Sequence, residues 1–399
     1  MTQNARTISA ERRRRRGVDL PINSQDVPLP HAHPDAPRRS DAIAIARVIC
    51  ILGVVYVHAW TGLNGAALDA LRHTPQESFR WILMEVCGRS AVPLLGLISG
   101  WLIGGSSRTR DFRAHVGRKA RTILLPMILW NALAILLVSG AAWLGTLSAP
   151  QPRSLLWLAQ ELLILTRNPD INVQMPFLRD LFLCMLAAPL LVRLPNRALL
   201  AVAAVAGLAH IFGYGPPVLM RASILFFFAL GIWARRAGLA ERGARISPTL
   251  ATLPFVLLVT AQLFATLRPD IVLPAPLPAA LDLLLRIVAA LFFWRLAWSL
   301  AGSPLRPLLL RIEPYAFFLF CAHLILIWLF GPVLGGVFGR LGTPLYPAYL
   351  LLQPLMVLAA VMGVGALLVR IAPGLAGVLS GGRLKPPPSD QATSRAVRA

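Results

Sequence analysis

At 399 residues the chain is long enough for two or three soluble domains, yet 56% of it is apolar and only 14% is charged, against roughly 25% charged in a soluble domain. That deficit excludes an ordinary soluble protein. The formal net charge of +22 does not point to nucleic acid, because the basic residues lie mostly in the tails and in short loops between apolar runs, where membrane topology accounts for them.

Residues 1–40 carry Arg12 to Arg16, several prolines and almost no apolar run, so they read as a disordered basic tail. A signal peptide would follow its basic residues with an apolar stretch at once. Here Gly17–Ser40 is polar, so the first membrane helix is expected to be retained. From residue 42 the apolar segments predict helices at 42–62, 81–104, 122–145, 176–192, 198–213, 218–234, 249–267, 279–301, 314–332 and 347–369. Two runs, Ile123–Leu147 and Tyr349–Val369, contain no charged residue and have the length of about 17–25 residues that crosses the hydrocarbon core. The expected fold is an all-α membrane protein, a bundle of about ten transmembrane helices over 41–372, with 373–399 as a second disordered tail. The stretch Leu155–Leu165 is apolar but too short to span, and predicts a helix lying on or re-entering the outer surface.

With the amino terminus in the cytoplasm, 27 of the 39 lysines and arginines fall in cytoplasmic segments and only Arg72, Arg80, Arg153, Arg167, Arg268 and Arg340 in outside ones. This bias places both termini in the cytoplasm, and in a multi-pass inner-membrane protein. Trp60, Trp81, Trp101, Trp143, Trp233 and Trp298 fall near predicted helix ends, where an indole suits the interface. Four cysteines, Cys50, Cys87, Cys184 and Cys321, stand singly in apolar segments. They predict packing and neither a disulfide framework nor a metal site.

Ionisable residues recur inside the predicted helices: Arg47, His58, Glu85, Arg89, Arg179, Asp180, Arg221, Asp282, Arg286, Arg295 and His323. Each costs about 2.5–3.5 kcal/mol at mid-membrane on insertion scales, so their density predicts a polar site within the bundle. Arg47 and His58 are eleven residues apart on one helix, which returns to within about 20° of the same face some 16 Å along the axis. They either form one polar stripe or snorkel to opposite headgroup layers. Glu85/Arg89 and Asp282/Arg286 have the i,i+4 spacing of pairs that neutralise each other. The cluster from Arg118 to Arg121 is either a topology signal or a phosphate-binding patch. His323 is either a proton-transfer group or a histidine satisfied by helix packing. Ser99 and Gly100 can serve simple helix packing.

Together these features resemble the integral-membrane acyltransferase 3 family over most of residues 40–370. The likeness rests on Arg47-x10-His58 within Asp41–Trp60, on Arg89–Leu102 ending near Ser99–Gly100, and on Arg118-x-x-Arg121 followed by Pro126. It rests also on Phe177-Leu178-Arg179-Asp180 and on Glu313–His323 with Tyr315. The chain departs from the family in having Ala44 three residues before Arg47, where an acidic residue is common; Asp41 lies one turn earlier. With no soluble esterase-like domain, it is similar to the membrane-only members. The resemblance implies transfer of a short acyl group, usually acetyl from acetyl-CoA, to a sugar hydroxyl of a cell-envelope or exported glycan. Acyl-CoA would be the donor substrate, with no permanently bound cofactor and no metal. The acceptor would be a glycan, lipid-linked or free, in a setting of membrane lipids. Under that resemblance His58 is the general base and Arg47 orients the donor or stabilises charge on the thioester oxygen. Arg118 and Arg121 would bind CoA phosphates, and Glu313, Tyr315 and His323 would position the acceptor or relay a proton. Arg89, Ser99 and Arg179 would help position substrate. The competing expectation is a secondary transporter or flippase for an anionic or glycan substrate, which also needs intramembrane charge.

Overall fold

The computed structural model describes residues 35–385 apart from Ser90, Pro269, Ile271 and Val272. The expected tails at 1–34 and 386–399 lie outside the described residues. Among the described residues every regular element is helical: α1 (Ala36–Val57), α2 (Pro75–Gly104), α3 (Phe112–Trp143), α4 (Leu155–Leu163), α5 (Pro176–Leu191), α6 (Asn196–Ile211), α7 (Ala222–Arg236), α8 (Leu239–Arg245), α9 (Pro248–Leu267), α10 (Leu277–Leu300), α11 (Arg306–Phe338), α12 (Tyr346–Ile371) and α13 (Pro373–Leu379). A helix stands at each of the ten predicted places. Seven of them (α1, α2, α3, α9, α10, α11 and α12) are long and apolar enough to cross a membrane. The seven-to-ten difference is one of length. Helices α5, α6 and α7 have 16, 16 and 15 residues, and α7 breaks into α8 at a bend of 88°.

Two boundaries differ from expectation. Helix α1 starts at Ala36, inside the expected tail. Residues 373–385, read from the sequence as tail, contain α13 and return to the bundle, where Leu379 and Leu384 are buried and Trp130 Nε1 donates to the Leu379 carbonyl at 3.0 Å. The sequence cue was masked by glycine and short length; the anchor is one indole N–H, which needs a partner once buried.

The most extensive close packing joins α2 to α7. Gly96, Gly100 and Gly104 recur every fourth residue and so share one face of α2. A Cβ on Gly100 would lie 1.9 Å from the Phe228 carbonyl oxygen, and one on Gly231 would lie 2.1 Å from that of Leu97. The two backbones therefore touch, as small residues permit in lipid, where dispersion rather than hydrophobicity drives association. A second close approach sets Gly53 of α1 against the Cys87 carbonyl, 1.7 Å from a built Cβ. It brings the π-helical turn Leu83–Arg89 of α2 beside the end of α1.

Prolines inside α2 and α3 explain the local geometry. Pro93 has no N–H for the Arg89 carbonyl, and the Arg286 guanidinium donates to that carbonyl instead at 3.3 Å. Pro126 likewise has no N–H for the Thr122 carbonyl, at the π turn Ala120–Leu124, and Gly381 of the returning C-terminal segment packs against that carbonyl. At the same end of the bundle Trp101 is covered by Arg235 and Arg39, 3.9 and 5.2 Å from its ring centre, and Arg306 pairs with Asp41 at 2.7 Å. His115 is fully buried and its Nε2 donates to the Met185 carbonyl at 3.0 Å, tying α3 to α5. Leu250, Leu253, Leu257 and Phe264 of α9 are exposed, the surface expected of a helix against lipid.

The α2–α7 contact yields a stability prediction. Gly100→Val forces a side chain onto a backbone carbonyl that no rotamer change can move, so folded yield in detergent should collapse. Gly363→Ala, with open space at its Cβ, should leave yield and melting temperature unchanged. Fluorescence-detected gel filtration with thermal challenge checks both.

Candidate functional site

Two cavities occupy opposite halves of the bundle. The larger, about 640 Å³, lies where α1 and α6 end and α7 begins. His58 reaches it from the turn that closes α1, where its backbone N–H bonds the Val55 carbonyl at 3.2 Å. Arg89 comes from the π turn of α2, Arg221 from the start of α7 and Arg286 from α10; His210 from α6 and Gln174 from the loop before α5 complete the polar lining used below. Arg89 is paired with Glu85 at 2.5 Å and Arg286 with Asp282 at 2.6 Å, as their i,i+4 spacing predicted. His210, a cavity residue that sequence reasoning did not single out, also places its Nε2 3.2 Å from Asp282. The signal was non-local: only the α6–α10 contact brings it to a carboxylate 72 residues away.

Behind His58 sits His323, fully buried on α11, with ring centres 5.4 Å apart and planes at 38°. His323 Nδ1 lies 2.8 Å from the Phe320 carbonyl and 3.1 Å from that of Leu319. Carbonyls only accept, so Nδ1 carries the proton and Nε2 is a bare acceptor. Nε2 is buried and has no partner among the described residues. An imidazole facing a cavity, backed by a second with a free acceptor, can take up a proton and pass one inward.

The smaller cavity, about 150 Å³, lies towards the beginnings of α1, α3 and α11. Arg47 meets Glu313 there at 3.1 Å, and Lys119 and Arg383 join them. Arg383 lies over the Phe317 ring, 4.1 Å from its centre, and donates to the Ser380 carbonyl at 3.0 Å. Three cations thus face one carboxylate. Ser99 lines this cavity too, although its hydroxyl is committed to the Leu95 carbonyl at 2.7 Å.

Phe177 and Phe320 line both cavities. Their ring centres are 5.7 Å apart, and Phe320 is 6.2 Å from the His323 ring. The stripe expected from Arg47 to His58 is therefore two chambers with an aromatic partition between them.

The remaining predicted residues fall elsewhere. Arg118 and Arg121 line neither cavity; within that basic cluster the cavity residue is Lys119. Tyr315 packs against Gly365 of α12. Arg179 does not line the larger cavity but holds its rim, bonding the carbonyls of Pro217, Val218 and Leu165 and pairing with Asp180 at 2.7 Å. Asp180, fully buried, accepts the Arg221 N–H at 2.7 Å. Helix α4 anchors the loop that follows it, since Glu161 accepts the N–H groups of Asp170 and Ile171 at 2.6 and 3.2 Å. That loop delivers Gln174.

A family model described as an acyltransferase domain matches residues 40–371, nearly the whole of the helical region. The chain belongs to the acyltransferase 3 family. It is a multi-pass membrane acyltransferase that transfers groups other than aminoacyl groups. It is similar to the succinoglycan biosynthesis protein ExoH of Rhizobium meliloti (strain 1021), with 29% identity over 372 residues, covering 86% of this chain and 92% of that protein. No solved structure matches it. In this acyltransferase Arg383 lies outside the matched range, which is why family motifs gave no sign of it.

The rim predicts its own stability test. Removing Arg179 strips the buried Asp180 of its countercharge, a loss on the order of 3 kcal/mol for a buried pair. Arg179→Ala should lower the melting temperature in detergent, and Arg118→Ala should not.

Proposed function

We propose that the protein transfers a short acyl group, acetyl by default, from acyl-CoA to a sugar hydroxyl of a cell-envelope or exported polysaccharide. The observation that carries this reading is the pair of cavities meeting only at Phe177 and Phe320, with a histidine pair on one side and three cations on the other. A donor carrying negative charge fits the cationic chamber, and a hydroxyl acceptor fits the chamber with an imidazole base. ExoH supports a glycan acceptor, since its name assigns it to succinoglycan biosynthesis.

In this reading the thioester end of the donor enters beside Arg47, Lys119 and Arg383, and the nucleotide stays outside, where the exposed Arg121 and neighbouring Arg118 can meet its phosphates. Glu313 holds the Arg47 guanidinium towards the donor. The thioester carbonyl reaches the Phe177–Phe320 partition, where Arg47 offsets charge developing on its oxygen. On the other side His58 removes the proton of the acceptor hydroxyl as oxygen attacks the carbonyl carbon. The C–S bond then breaks, and CoA leaves as thiolate or, protonated, as thiol. Once His58 is protonated, a small rotation of its ring would let an N–H reach the unpartnered His323 Nε2, which would then orient the ring and spread the positive charge. The aromatic partition keeps water from the thioester.

Orientation follows from the charge bias: an inner-membrane protein with ten spans and cytoplasmic termini puts the smaller cavity on the cytoplasmic side, where acyl-CoA is found. Helices α5, α6 and α7 would cover only about 24 Å at 1.5 Å per residue, but they line the larger cavity and need less hydrocarbon-facing length.

Purified protein in detergent, supplied with acetyl-CoA and candidate glycans, tests this by thiol release and product mass. His58→Ala should cut transfer by about 10²-fold or more without changing donor KM, whereas Lys119→Ala should raise donor KM. Full transfer by a folded His58→Ala would remove the base assignment. Failure of the wild type to bind any acyl-CoA would instead favour a transporter. Phe320→Ala should raise glycan-independent acetyl-CoA hydrolysis, because the partition no longer excludes water.

A further inference from the structure

Among the described residues the lining of the larger cavity contains three arginines and two histidines and no Asp or Glu. Arg89 and Arg286 are each paired with a carboxylate, Glu85 and Asp282, neither of which lines the cavity. Arg221 differs. Its backbone N–H is committed to Asp180, but its guanidinium makes no ion pair or hydrogen bond with any described residue. The carboxylate next to Arg221, that of Asp180, is already paired with Arg179, so the cavity carries net positive charge beside His58. A second observation is independent of charge. Gln174 is 3% exposed and lines the same cavity, yet neither its amide oxygen nor its amide nitrogen has a partner among the described residues. A buried amide left without partners costs free energy, and one that offers both a donor and an acceptor suits a ligand bearing hydroxyls.

We infer that the larger cavity binds an acceptor carrying an oxyanion, held by the Arg221 guanidinium, with Gln174 hydrogen-bonding a neighbouring sugar hydroxyl. This rests on the reading that the larger cavity is the acceptor side. The arrangement is that of a planar fork facing a carboxylate or phosphate, with the reacting hydroxyl directed to His58. The oxyanion has two sources of the same chemistry: a carboxylate on the sugar, or a phosphate linking the glycan to a lipid carrier. Arg221 is a specificity residue here. It sets which acceptors are held, and His58 acts on whichever hydroxyl is presented.

The test measures binding without donor, on the full-length protein in nanodiscs, by titration calorimetry. The probes are glucuronosyl-glucose, its neutral counterpart cellobiose, and citronellyl phosphate as a short isoprenoid phosphate. The wild type should bind at least one anionic probe about tenfold to a hundredfold more tightly than cellobiose, the range a charge-assisted contact supplies. Arg221→Ala should abolish that preference, Arg221→Lys should keep part of it, and added salt should shrink it. Gln174→Leu should instead weaken the acidic and neutral disaccharides alike. Preference for glucuronosyl-glucose assigns the oxyanion to the sugar, and preference for citronellyl phosphate assigns it to the carrier. Equal binding of charged and neutral probes, no binding of either anion, or a preference that survives Arg221→Ala overturns the inference. Unchanged melting temperature and acetyl-CoA binding show that each variant is folded, and truncation of Arg221 leaves its backbone bond to Asp180 in place. If the anionic probe binds as expected but no acyl transfer occurs on any acceptor, the oxyanion site at Arg221 stands and its role as an acceptor site falls with the acyl-transfer reading.

Discussion

A guanidinium among apolar helices is costly without a partner, and the inner architecture of this bundle follows from where most such groups find one. Arg89 turns back on Glu85, Arg286 on Asp282, Arg179 on Asp180, and Arg47 crosses to Glu313 on a helix 266 residues away. The first three pairs are local and make insertion tolerable. The fourth is long-range and joins α1 to α11 at the smaller cavity. Removing either member of such a pair leaves a charge without compensation, which is the more costly state. The cations left over, Lys119, Arg383 and Arg221, line the two chambers beside the paired Arg47, Arg89 and Arg286.

The glycines and prolines serve the same end by different means. Close approach at Gly100 and Gly231 locks α2 to α7, so that Arg89 and Arg221 enter the larger cavity from a rigid pair of helices. Pro93 frees a carbonyl that Arg286 then satisfies, which draws α10 against α2. A backbone group released by proline must find a partner in hydrocarbon, and here the partner is a residue of the site. Packing and site geometry are thus one arrangement in this protein.

Under the proposed acyl transfer, the two-chamber layout would separate its demands: cations for a charged donor, a base for the attacking hydroxyl, and a dry place for the thioester between them. Phe177 and Phe320 would meet the last demand, because both rings border both cavities. His323 sits one helical turn beyond Phe320 on α11, so one helix supplies both the buried imidazole and half of the partition. Arg383 adds a contribution from beyond the family's matched range, through a C-terminal segment anchored by Trp130.

What the sequence by itself determined is what depends on local runs of residues. Apolar length gave a helix at each of ten places, and i,i+4 spacing gave the Glu85–Arg89 and Asp282–Arg286 pairs. Motif order gave the family, and with it the placing of His58, Arg47, Glu313 and His323 at the cavities or just behind them. What only the tertiary structure decided is what depends on contacts between distant segments. The Arg47–His58 stripe became two chambers because α5 and α11 each insert a phenylalanine between them. Lys119 rather than Arg118 or Arg121 faces the inside because a helix presents only one side of a basic cluster to its neighbours. Tyr315 and Arg179 turned out to support packing and the cavity rim. Arg221, Gln174, His210 and Arg383 were not legible as site residues, since each acquires its surroundings from elements far away in the chain. Periodicity fixes which residues share a face; only packing fixes what that face meets.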